Sequence, residues 1–146
     1  MNSDERTKRS RNHREANMPN PVVHFEIISN DPKAVAEFYK AAFDWDIDTE
    51  HPASGGTGVP LYFMARPTGE QMPRHSINGG IGNTPRGYGG HVTFYIEVDN
   101  VGEALAKVEK LGATRMFGPD QVPNGPVIGL FKDPQGHTIG LVEVSD

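Results

Sequence analysis

The sequence predicts an α+β fold: two βαβββ modules in tandem, their sheets curving around a shared cavity, with the helices outside. Three observations predict it. The stretch Val22–Phe43 reads as a strand that turns at Asn30-Asp31-Pro32 into an amphipathic helix. The stretch from His91 to Leu111 repeats that order. Each is followed by three further strand signals, with a Gly-rich break, GNTPRGYGG, between the halves. A repeat of element order at this spacing is an architectural signal. Neither half covers the far face of its own sheet, so the two are expected to close on a common cleft.

In the first strand, alternation places Val23, Phe25 and Ile27 on one face and His24, Glu26 and Ile28 on the other. Asp31 is a good N-cap, and Pro32 at the first helical position loses no hydrogen bond. Val35, Phe38, Tyr39, Ala42 and Phe43 form one apolar helical stripe. That stripe is expected to pack on the Val23/Phe25/Ile27 face, with Phe38, Phe43 and Trp45 in the core. Asp46–His51 alternates weakly and is a possible strand. Residues 52–60 read as a loop, and Leu61–Arg66 as a strand. Residues 67–73 read as a turn. His75–Ile81 is a weak strand, because Gly79-Gly80 suggests a bulge or a close approach of another group.

In the second half, His91–Val98 is a strand, and Asp99-Asn100 begins a helix with Glu103 placed as in a capping box. Val101, Ala104, Leu105, Val108 and Leu111 share a stripe. Gly112 follows the helix as a C′ residue, with Lys107 and Lys110 in its last turns. Ala113–Phe117 is a strand, Gly118–Pro126 a Pro/Gly loop, Val127–Lys132 a strand, Asp133–Gly136 a turn and His137–Val144 the closing strand.

Composition narrows the function. The chain has 146 residues and suits one domain over residues 19–146, with modules of about 20–82 and 90–146. Its net charge of −5 argues against a nucleic-acid partner. It has no cysteine, which excludes disulfides, thiolate metal sites and thiol nucleophiles. No apolar run is long enough to span a membrane, and no secretory signal is legible, so a cytoplasmic location is the default. Residues 1–18 read as a disordered basic tail, since apolar residues are nearly absent there.

The cavity faces supply the candidate site. His24 and Glu26 share one face of the first strand, and His91, Thr93, Tyr95 and Glu97 share one face of the fifth. His24 is either a hydrogen-bond anchor, a general base or a core histidine satisfied by Glu26 or by backbone. Glu26 needs a partner if buried. It is a partner for His24, a carboxylate for a cationic or hydroxylated ligand, a base with a raised pKa, or a solvated group at an open cleft. His91, Thr93 and Tyr95 are candidate wall residues. His137 is expected at the surface, and His13, His51 and His75 have no assigned role. The segments 55–58 and 87–90 lack the strand-to-helix context of a phosphate loop.

The chain resembles the vicinal oxygen chelate superfamily of glyoxalase I, extradiol dioxygenases and bleomycin-resistance proteins. The resemblance rests on Val23-His24-Phe25-Glu26-Ile27, on Phe38-Tyr39 with Phe43-Asp44-Trp45, on Val98-Asp99-Asn100-Val101 leading into Leu111-Gly112-Ala113, and on Lys132-Asp133-Pro134-Gln135-Gly136-His137. It covers residues 20–145 and specifies a fold rather than a reaction. It implies a small-molecule ligand and a homodimer. Metal-dependent members carry four His or Glu ligands on inward strand faces. Carried over, these positions fall at His24, at Gly79 or Gly80, at Thr93 and at Gly140, so one ligand of four is kept. Catalytic divalent ions normally need three protein ligands. The expectation is therefore no metal and a binder of a small oxygenated or drug-like molecule. The alternative is a lyase, isomerase or dioxygenase. It would use either a displaced divalent site at His24, Glu26 and His91, or His24/Glu26 as a metal-free acid–base pair. Glu143 has the wrong parity for the last ligand.

Overall fold

The computed structural model describes residues 18–55, 59, 61–66, 76–85 and 87–144. The expected basic tail, the turn at 67–73 and His13 and His75 lie outside them. The described elements are β1 (Val22–Ser29), α1 (Pro32–Phe43), β2 (Asp46–Ile47), β3 (Tyr62–Arg66), β4 (Asn78–Asn83), β5 (His91–Val98), α2 (Val101–Lys110), β6 (Thr114–Gln121), β7 (Val127–Lys132) and β8 (Thr138–Glu143). Both halves thus run βαβββ, as the repeat predicted. The strands form one eight-stranded sheet in the order β2-β3-β4-β1-β5-β8-β7-β6. The halves meet where β1 pairs antiparallel with β5. Each of these two strands also pairs in parallel with the last strand of its own half, β4 or β8.

The helix signals act as read. Asp31 accepts a hydrogen bond from the Ala34 N–H at 3.1 Å, and Asn100 accepts one from the Glu103 N–H at 2.8 Å. Each helix covers its own half. Ala36 of α1 packs with Ile47, Phe63, Ala65 and Ile81; Val101 and Leu105 of α2 pack with Phe131 and Leu141. Apolar burial of this kind contributes roughly 1.5–3 kcal/mol per large side chain.

Several expectations are corrected. The α1 stripe is turned toward Pro32, Val35, Ala36 and Tyr39, leaving Phe38 60% and Phe43 62% exposed. Trp45 takes the place expected for Phe43: it stacks on Tyr39 with ring centroids 4.7 Å apart and meets Phe25 at 5.2 Å. Leu111 ends its stripe exposed. Val23 leaves the helix-facing side and lines the cavity, because the register with β5 shifts between Val22 and His24. The possible strand after α1 is only Asp46–Ile47. β4 begins three residues later than expected and runs to Asn83, into the Gly-rich break. β6 continues past Phe117 to Gln121, with register shifts on either side of Phe117 accommodating Gly118-Pro119.

Candidate functional site

On the side of the sheet away from the helices lies a cavity of about 840 Å³. Its floor comes from β1, β3, β5 and β8, and residues 121–128 form one wall. That volume lies within the range of small-molecule sites. His24, Glu26 and Tyr95 line it, and so does Glu97. His91 and Thr93 do not: both sit behind the lining.

Glu26 is the centre of the floor. It is buried, and its carboxylate accepts three donors. His91 Nε2 lies 2.7 Å from Oε2; the Tyr95 hydroxyl lies 3.1 and 3.0 Å from the two oxygens; the Tyr62 hydroxyl lies 3.2 Å from Oε1. His91 Nδ1 is 2.7 Å from the Tyr88 hydroxyl. One assignment satisfies the chain: Tyr88 donates to Nδ1, and His91 Nε2–H donates to Glu26. Buried charges need this kind of multiple donation. Burial first, and then the Glu26 charge, push the Tyr62 and Tyr95 phenols far above their ordinary range, so both remain protonated donors.

His24 stands beside this cluster. Its Nε2 is 2.9 Å from the Tyr62 hydroxyl. Since Tyr62 donates to Glu26, the matching tautomer has His24 donating to Tyr62. Burial holds the imidazole below its ordinary pKa, with Glu26 opposing the shift, so the neutral form is favoured. Among the described residues, Nδ1 makes no hydrogen bond. The His24 ring itself lines the cavity.

The glycines explain how the cluster fits. A Cβ on Gly80 would lie 1.9 Å from Tyr62 Cε1, and one on Gly140 would lie 2.6 Å from Tyr95 Cδ1. Gly80 faces the cavity, whereas Gly79 faces Phe25 on the helix side. The tyrosine rings therefore fill the space over the two glycines that stand at expected metal-ligand positions. The anticipated bulge in β4 is absent, and close approach is the reason for its glycines.

The other candidate ligands are engaged elsewhere. The Thr93 hydroxyl donates to the Thr138 carbonyl. β5 pairs residue for residue with β1 from His91 to Tyr95, so no slip carries His91 to the Thr93 position. Glu143 reaches the cavity rim, but its Oε1 accepts the Val101 N–H at 3.1 Å. Among the described residues, no three His, Asp or Glu side chains converge as a metal-binding set. The divalent ion of the metal-dependent relatives does not fit these residues: two ligand places hold no side chain, and Glu26 already serves three donors. His137 pairs with Asp133 and His51 with Asp48, both exposed. Tyr62 and Tyr88 were not singled out from the sequence. The signal for Tyr62 was the glycine pair in β4, which needed a large neighbour.

This fold and cavity define a class, and the family match names it. Residues 22–141 match the Glyoxalase/Bleomycin resistance protein/Dioxygenase superfamily, and the chain belongs to it. Among solved structures it is similar to Streptomyces coelicolor methylmalonyl-CoA epimerase in complex with 2-nitronate-propionyl-CoA, with a TM-score of 0.63 at 17% identity. That match covers 88% of this chain and 100% of the epimerase. The Mycobacterium tuberculosis epimerase matches at 0.59 and 13% identity, over 86% of this chain and 88% of the other. A hypothetical protein from Bacillus halodurans C-125 matches at 0.61 and 16%, over 88% and 97%. These likenesses establish the fold. No curated protein sequence matches the chain.

Proposed function

We propose that this protein binds a small organic molecule in the cavity without a divalent metal ion. One observation carries the reading: the rings of Tyr62 and Tyr95 lie over Gly80 and Gly140, and their hydroxyls, with His91, occupy Glu26. The floor is a hydrogen-bonded platform in place of an ion. Metal analysis and thermal melting test this. Substoichiometric metal is expected after purification, with no rise in Tm on adding Mn, Fe, Co, Ni or Zn ions. A stoichiometric ion lost together with ligand binding on chelation would overturn the reading.

A second reading is isomerisation by proton transfer, favoured by the neutral His24 imidazole, which lines the cavity and whose Nδ1 makes no hydrogen bond among the described residues. In it His24 is the base. Glu26 is not, because three donors hold its lone pairs. Incubation with methylmalonyl-CoA in heavy water decides between them. No deuterium incorporation is expected; incorporation that His24→Ala abolishes would establish the second reading. The homodimer implied by the resemblance belongs to the same proposal, and sedimentation equilibrium tests it, a monomer mass removing it.

A further inference from the structure

The charge of the cavity lining deepens the binding reading, on which this inference rests. Among the described residues, the lining contains Glu26, Glu97 and Glu143 but no lysine or arginine. The described basic side chains lie elsewhere: the lysines are on the two helices and at the end of β7, Arg66 is exposed at the end of β3, and Arg115 pairs with Glu109 at 2.6 Å. The three carboxylates are not equivalent. Glu26 is occupied by three donors, and one oxygen of Glu143 caps α2. Glu97 is half-buried, two residues along β5 from Tyr95, and among the described residues its carboxylate makes no hydrogen bond or ion pair. The same lining includes the apolar side chains of Met64, Val122, Ile128 and Val142 and the rings of Tyr62 and Tyr95.

We propose that the cavity selects a protonated amine on an apolar or aromatic body, held by Glu97, and discriminates against anions. The physical reason is desolvation. An anion entering this cavity would lose water, meet three carboxylates and gain no lysine or arginine partner among the described residues. A cation would lose water but gain a charge-assisted hydrogen bond in a cleft whose field attracts it. Some of the similar solved structures, the Streptomyces coelicolor epimerase among them, hold acyl-coenzyme A ligands, which carry several phosphate charges. The lining here has no described group to balance them.

Three probes of one shape test this: phenylbutylamine, phenylbutanol and phenylbutanoate, titrated calorimetrically and followed by amide NMR shifts. The amine is expected to bind at least about tenfold more tightly than the carboxylate, with the alcohol between them. Glu97→Gln is expected to bring the amine and the alcohol within about twofold of each other. Circular dichroism melting verifies that the variant folds. Equal or tighter binding of phenylbutanoate overturns the assignment, as does a preference for the amine that survives Glu97→Gln. If the alcohol binds with shifts at Tyr62 and Tyr95 but charge makes no difference, only the cation assignment falls. If none of the three binds, the binding reading falls with it.

Discussion

Glu26 draws donors from both halves of the chain, and its cost when unpaired sets the first prediction. Tyr95→Phe deletes a hydroxyl that lies within 3.1 Å of both carboxylate oxygens. The buried carboxylate then keeps two donors. A loss of about 1–3 kcal/mol is expected, read from urea unfolding with the m-value unchanged. Tyr62→Phe should cost less, because its bond to Glu26 is longer at 3.2 Å. It should also free His24 Nε2, seen as a changed imidazole tautomer by nitrogen NMR. Equal stability of Tyr95→Phe and the parent would refute the role given to this hydroxyl. The positions of His24 and Glu26 were legible because strand alternation is local. Tyr62 and Tyr88 were not legible as partners. The Tyr62 contacts cross between strands, and Tyr88 reaches His91 three residues on from a loop whose path no helix or strand period sets.

At the scale of elements, β4 shows how a poor strand sequence becomes a central strand. Asn-Gly-Gly-Ile-Gly-Asn has low strand propensity. It is nevertheless held between β3 and β1, with Ile81 fully buried and the rings of Phe25 and Tyr62 seated over Gly79 and Gly80. Gly80→Ala must displace Tyr62, and with it two hydrogen bonds. A destabilisation of about 1–3 kcal/mol is expected, together with altered near-ultraviolet tyrosine dichroism. Gly140→Ala, where the added Cβ meets the Tyr95 ring at 2.6 Å, should act more mildly. The α1 stripe was legible in period but not in phase. Its aromatic residues outnumber its small ones, yet the close contact with the sheet is made by Ala36. Phe38→Ala is accordingly expected to change stability by less than about 0.5 kcal/mol, while Ala36→Leu overpacks the core by about 1–3 kcal/mol. The β7–β8 turn adds a pH dependence. Backbone N–H donation from His137, then its side chain, hold the Asp133 carboxyl below its ordinary range. A group depressed in the folded state contributes stability above its unfolded pKa and loses it as pH falls below that value. Protection factors of the hairpin amides, measured against the intrinsic rate at each pH, should therefore fall on acidification below about pH 4, and Asp133→Asn should flatten that response.

Across the whole molecule, the same carboxylate joins the two modules. Their outer cores are separate, one under each helix. Their inner surfaces meet at the β1–β5 pair and at Glu26, which takes Tyr62 from its own half and Tyr95 and His91 from the other. The repeat made the two halves legible in the sequence. That they form one sheet, sharing one buried charge, was not legible, because it depends on which edges pair. A chain cut within residues 84–90 tests this dependence. The first half alone would expose the β1 edge and leave Glu26 with a single donor from its own half. It is expected to lack cooperative unfolding when isolated. Mixing with the second half should restore it, with a midpoint that rises with concentration as association requires. Glu26→Leu in the first half removes the buried charge, and therefore should raise the residual structure of the isolated half while weakening reassembly. A first half that folds cooperatively by itself, with Glu26 intact, would show that the modules are independent and that the cluster serves the ligand alone.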